Sequence, residues 1–208
     1  MAILVDEQVW EPLGTASSTL GDAIGLLHQQ ISKTGKVIIK VQVDGKELAG
    51  EALASARAEA IGARAVAIST TSQAELAKSM IGRLAALVEY LGGQHRRVAE
   101  LIEQGQSGKA LEQFASVLGA WQQVNQSYVA LLKLLNTSLD DLMVREIPAS
   151  EVVADFHRQL NEIAGALKNQ DLVLLADILQ YEMDSAIENW TGLLEAALGV
   201  VEKAEART

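Results

Sequence analysis

The chain has 208 residues, 49% apolar but only 4% aromatic, with two prolines, no cysteine and a formal net charge of −10. The lack of cysteine excludes disulfides, thiolate metal sites and cysteine nucleophiles. The acidic balance argues against nucleic acid and anionic membrane surfaces as partners, and it permits a basic one. Much of the apolar content is alanine, the best helix former and a small one, so the composition suits closely packed long helices rather than a bulky β-sandwich. Met1 to Trp10 lacks the basic and apolar regions of a signal peptide, and no apolar run approaches the ~18 residues that span a bilayer. The expectation is a soluble, cytoplasmic protein.

Residues 1–71 read as a small α+β domain. Ala2 to Val5 is a short strand. Ser17 or Ser18 caps a helix with apolar positions Leu20, Ile24, Leu27 and Ile31, and Gly35 ends it. In the next strand Val37, Ile39, Val41 and Val43 share one face, with Lys40 and Gln42 on the other. Asp44-Gly45 supplies a tight hairpin turn into Lys46–Leu48. A short helix over 51–60 closes at Gly62, and Ala65 to Thr70 forms a last strand. The order strand, helix, strand, strand, helix, strand resembles that of a ferredoxin-like split βαβ unit, with a two- or three-stranded sheet and flanking helices as the alternative.

Residues 72–208 read as an antiparallel bundle of five or six helices. Ser72 and Glu75 form a capping box opening a helix through Leu91. Gly92-Gly93 breaks it, and a second helix carries Val98, Leu101 and Ile102. Then Leu111, Phe114, Leu118, Trp121, Asn125, Tyr128, Leu132 and Leu135 recur at spacings of three and four, one face of one long helix. Ser138 caps a short helix through Met143. Pro148 sits in the first turn of a helix to Lys168. A last helix runs from Asp171 to Lys203. Short connections make neighbouring helices antiparallel.

No catalytic constellation and no metal or cofactor site emerges. His28, His95 and His157 have no partner at metal-ligand spacing, and the Glu-x-x-His pattern of diiron bundles is absent. Gly105-Gln106-Ser107-Gly108-Lys109 lacks the spacing of a phosphate loop. His95-Arg96-Arg97 reads as a solvated helix start or a small anion patch. Asn125, mid-seam, is placed to fix helix register as a structural polar residue. On the last helix Asp177, Tyr181, Asp184, Glu188 and Glu195 line the side opposite the apolar arc, either as a solvated face or as a grip for a basic peptide. Glu182 falls at the edge of that arc, where a carboxylate must be paired or border a cleft.

Ala166-Leu167-Lys168-Asn169-Gln170-Asp171, followed by Leu175 to Glu182, resembles a phrase in uncharacterised bacterial helical-bundle proteins. The bundle is also broadly similar to flagellar export chaperones, which clamp an unfolded partner between antiparallel helices. This architecture and the lack of catalytic groups point to a non-enzymatic protein-binding module, an adaptor, assembly factor or secretion-type chaperone. It would bury a partner helix or peptide in a groove of the bundle, with Asp177, Tyr181, Glu182, Asp184 and Glu188 as the partner-binding candidates. One alternative is a small-molecule sensor or enzyme with a pocket between bundle and sheet around Tyr181 and Glu182. The other is a purely structural homo-oligomer, a two-fold dimer in its simplest form.

Overall fold

A computed structural model describes residues 3–10 and 19–206 and gives the α+β architecture expected. The chain divides into two compact units, Met1–Leu76 and Ala77–Thr208.

The N-terminal unit is a five-stranded sheet with two helices. In chain order come β1 (Ile3–Val5), β2 (Gln8–Trp10), α1 (Leu20–Ile31), β3 (Lys36–Val43), β4 (Lys46–Leu48), α2 (Gly50–Ala56) and β5 (Val66–Ser72). The sheet order is β2-β1-β5-β3-β4. β1 and β5 are parallel neighbours; the other neighbouring pairs are antiparallel. β4 and β5, joined by α2, therefore run parallel with β3 between them, which is a split βαβ. The first crossover differs from a ferredoxin-like one. The additional strand β2 turns the chain back at Asp6-Glu7, so it is β2 that precedes α1, and β1 and β5 lie between it and β3.

Local chemistry explains most of these elements. Thr19 caps α1 through a capping box with Asp22, the hydroxyl accepting the Asp22 N–H at 3.1 Å. Ser17 and Ser18, the residues expected there, lie outside the described residues. Leu20, Ile24, Leu27 and Ile31 are buried as their spacing requires, packed with Val41, Val43, Val66 and Ile68 of the sheet. Asp44 and Gly45 take positive φ of 52° and 78° and close the β3–β4 hairpin. One strand face is corrected. A β-bulge between Ile38 and Lys40 adds an unpaired residue, so Ile38 packs on the core while Ile39 is 51% exposed.

The C-terminal unit is helical: α3 (Gln73–Glu103), α4 (Ser107–Leu134), α5 (Ala149–Lys168), α6 (Leu172–Asp177) and α7 (Met183–Glu205). The Ser72–Glu75 capping box is present, with Glu75 N–H on the Ser72 hydroxyl at 3.0 Å and Ser72 N–H on the Glu75 carboxylate at 3.1 Å. Gly92-Gly93 does not break α3. Each glycine costs a helix roughly 1 kcal/mol against alanine, and burial of Leu84, Val88, Leu91, Val98 and Leu101 outweighs that. On α4 the buried face is Ala110, Phe114, Val117, Trp121, Val124, Tyr128, Leu131 and Leu132; Phe114, Trp121, Tyr128 and Leu132 of the expected seam are in it, but the face is rotated, so Leu111 and Asn125 are exposed.

Between α4 and α5 the expected short helix is a single 3-10 turn, Leu139–Asp141, with Ser138 and Asp141 as its capping box. A two-residue hairpin follows, β6 (Met143–Val144) and β7 (Ile147–Pro148), with Arg145 and Glu146 both at positive φ. Pro148 is the N-cap of α5 rather than its first residue. The expected single last helix is interrupted by a π-turn over Ile178–Glu182.

The hairpin packs closely on α7. A Cβ built on Gly192 would lie 2.5 Å from Val144 Cγ1, and Val144 is a buried, β-branched residue. Gly192→Ala is expected to destabilise the helical unit by about 1–3 kcal/mol through overpacking. The double variant with Val144→Ala should recover part of that loss in urea unfolding.

Candidate functional site

The centre of the helical unit is an aromatic cluster built from four helices. Trp121 and Tyr128 come from α4, Phe156 from α5, Trp190 from α7 and His95 from α3. Trp121 lies 4.6 Å from Phe156 and 5.6 Å from Trp190 between ring centroids, and Trp190 lies 5.5 Å from both Tyr128 and Phe156. The Trp121 indole N–H donates to His95 Nε2 at 2.9 Å. The Tyr128 hydroxyl donates to the Leu193 carbonyl at 3.1 Å, and burial pushes its pKa upward. Burial also pushes the His95 pKa down to about 4; Asp184 opposes the shift and Arg96 adds to it. His95 is therefore neutral at pH 7 and accepts through Nε2. Placing His95-Arg96-Arg97 on a solvated helix start is corrected. The three are mid-helix, with His95 buried, Arg96 paired to Asp184 at 2.9 Å and Arg97 to Glu100 at 2.9 Å.

Several concave surfaces open on the helical unit, and two matter here: an α3–α7 groove and an α4–α5 cavity, the latter lined by Trp121 and Phe156 of this cluster. The larger, ≈ 620 Å³, runs between α3 and α7. Its α3 wall is small, Ala85, Ala86, Gly92 and Gly93, flanked by Glu89 and Arg96; its α7 wall is Asp184, Ile187, Glu188 and Thr191. The two helices are antiparallel here, since Lys78 pairs with Glu205 at 2.8 Å while Arg96 pairs with Asp184. The smaller surface, ≈ 240 Å³, lies between α4 and α5.

The structure brings only part of the expected partner-binding set together. Asp184 and Glu188 share the α3–α7 groove; Glu188 also meets Arg145 of the hairpin at 3.5 Å. Asp177, Tyr181 and Glu182 do not line it. They lie at and before the π-turn, all exposed, Tyr181 by 70%. Placing Glu182 at the edge of the apolar arc is thus corrected: its side chain is exposed, and its backbone is what engages the protein. The π-turn sends the Met183 N–H to the Ile178 carbonyl. The Glu182 carbonyl accepts from the Ser185 hydroxyl at 2.7 Å and from the buried Gln159 amide at 3.4 Å. Asn125 is likewise not a register lock in a seam; it stands exposed at the mouth of the α4–α5 cavity.

Glu89 and Arg96 were missed as groove residues because Gly92-Gly93 read as a break. Counted through that pair, Ala85, Glu89, Gly92 and Arg96 fall at i, i+4, i+7 and i+11 on one face. Among the described residues no group of three or more His, Asp or Glu is placed to hold a metal ion, and no helix is long and apolar enough to cross a membrane.

A small sheet unit preceding a helical bundle defines the class: an α+β protein whose C-terminal part is a bundle with open concavities on its surface. The chain belongs to the family described as Domain of unknown function (DUF8042), which matches residues 79–192, more than half of its length. Every residue lining the two concavities falls inside that span. No curated protein and no solved structure matches the chain.

Proposed function

We propose that the chain is a non-enzymatic protein-binding module, an adaptor or chaperone-like factor of the cytoplasm that buries a basic helix or peptide of its partner in the α3–α7 groove. The observation that carries this is the groove's composition. Its α3 wall of Ala85, Ala86 and Gly93 is small enough for a second backbone to approach, and Gly93 is exposed with open space where a Cβ would stand, while Gly92 is buried under Ile187. Its lining sets Glu89, Asp184 and Glu188 against Arg96, with Arg145 of the hairpin reaching Glu188 from outside the lining, so a net negative charge remains to complement lysine or arginine on a partner. The Arg96–Asp184 pair is exposed on both sides, with side-chain exposures of 60% and 50%, and contributes little to folding. It can exchange partners at low cost. An amphipathic helix laid in such a groove is a familiar recognition mode.

Selection of random peptides displayed on phage against the full chain tests this. Enriched peptides should combine small apolar residues with lysine or arginine. The Asp184→Lys, Glu188→Lys double variant should bind them at least about tenfold more weakly, with its helical circular dichroism retained. Enrichment of no common pattern, or peptides that bind the double variant equally well, would sink the proposal.

A further inference from the structure

The α4–α5 cavity shares no residue with the α3–α7 groove and has a different chemistry. We infer that it is a binding site for a small, neutral, bicyclic aromatic molecule of indole size, with one polar edge turned toward Gln122 and Asn125.

Size comes first. Apolar cavities of roughly 150 Å³ lined by Leu, Ile and Phe stay dry and accept benzene. At ≈ 240 Å³ this cavity has room for about nine or ten heavy atoms, two fused rings rather than one. That is too small for a helix and below the usual span of sites for larger ligands.

The walls come second. Trp121, Phe156 and Ile163 are buried and form the inner surface, with Leu118, Leu160 and Leu167 beside them. Two aromatic walls favour an aromatic guest through edge-to-face and offset contacts. The cavity is also preorganised. Trp121 is tied by its indole N–H to His95 and wedged between Phe156 and Trp190, so its ring does not swing inward to fill the space. A guest therefore meets walls already in place, which lowers the ordering cost of binding.

Polarity comes third. The mouth carries two carboxamides, Gln122 and Asn125, and the exposed His157. A carboxamide both donates and accepts, so it can meet one N–H or hydroxyl on the guest. The described lining holds no carboxylate, lysine or arginine, so a charged guest would be desolvated without a counter-ion. A neutral ring system with one hydrogen-bonding edge meets all three conditions.

The test is titration of the full chain with indole, 1-methylindole and naphthalene, followed by amide and indole N–H resonances. Indole should give saturable shifts at Trp121 and Asn125, with a dissociation constant below about 1 mM. 1-Methylindole, which has no N–H, should bind several-fold more weakly. Ala164→Trp, at the exposed margin, should fill the cavity and abolish the shifts without lowering the melting temperature, and Leu160→Trp serves as a second blocking variant. The inference falls if indole and naphthalene give no saturable shift, or if Ala164→Trp leaves the shifts unchanged. It also falls if a tryptophan-bearing peptide occupies the cavity while the free ring compounds do not, since the cavity would then be a socket for a partner's side chain.

Discussion

Trp190→Ala is expected to destabilise the helical unit by about 3–5 kcal/mol, the cost of emptying a large aromatic site that neighbours cannot collapse into. Trp190 is 1% exposed and contacts the rings of Trp121, Tyr128 and Phe156, so its removal strips the contact surface of three other aromatics at once. A chain with so few aromatics has placed half of its Phe, Tyr and Trp residues in this one cluster. Trp190→Phe should behave differently. The Trp190 indole N–H is buried with no hydrogen-bond partner among the described residues, whereas that of Trp121 has His95. Phenylalanine removes the unsatisfied donor, and that gain offsets part of the lost volume, leaving a net change within about 1.5 kcal/mol. Urea unfolding followed by far-ultraviolet circular dichroism measures both variants. Similar losses for Trp190→Ala and Trp190→Phe would show that the N–H is satisfied in solution.

The contrast between those two tryptophans was invisible in the sequence, where both sit at ordinary apolar spacing. What was legible follows local rules: the capping box at Ser72 and Glu75, the Asp44-Gly45 turn, and the buried face of α1. What was not legible depends on distant pairing. The bulge at Ile39 arises from the register of β3 against β5, so alternation within β3 alone puts Ile39 on the wrong face. On α4, Leu111, Leu118 and Asn125 compete with Val117, Val124 and Leu131 at the same spacings, and which set is buried depends on where α3, α5 and α7 lie. The π-turn requires five-residue hydrogen bonding that no composition announces, and it put the phase of Glu182 out of reach of a simple angular count. Asp184 and Glu188 were legible as a pair on one face of a helix. Their arginine partners were not, since Arg96 and Arg145 lie 88 and 43 residues away in the chain.

His95 supplies the second large expected effect, a loss of stability in mild acid. Its folded pKa, about 4, lies below the ordinary value of 6.5, chiefly because burial disfavours the imidazolium; Asp184 and Arg96, the charged groups acting on it, push in opposite directions. As pH falls below 6.5 the unfolded chain takes up a proton that the folded chain refuses, so stability drops. The decline continues to the folded value and reaches about 3 kcal/mol in full, with about 2 kcal/mol of it present by pH 5. At pH 5 Asp6, held low by its bonds from Thr70, and Asp141, held low by Ser138, are still ionised and add almost nothing to the slope, whereas Glu75, held low by its bonds from Thr71 and Ser72, adds a small slope of the same sign as the unfolded glutamate begins to take up a proton. His95→Gln keeps an acceptor within reach of the Trp121 indole N–H and removes the titration, so its urea midpoint should be nearly flat between pH 7.5 and pH 5 while that of the parent falls. A parent curve that is flat over the same range would mean that the imidazole is hydrated and protonates in place. Across that range the folded imidazole stays neutral, so Nε2 goes on accepting from the Trp121 indole N–H and the Trp121 wall of the α4–α5 cavity stays tied in place.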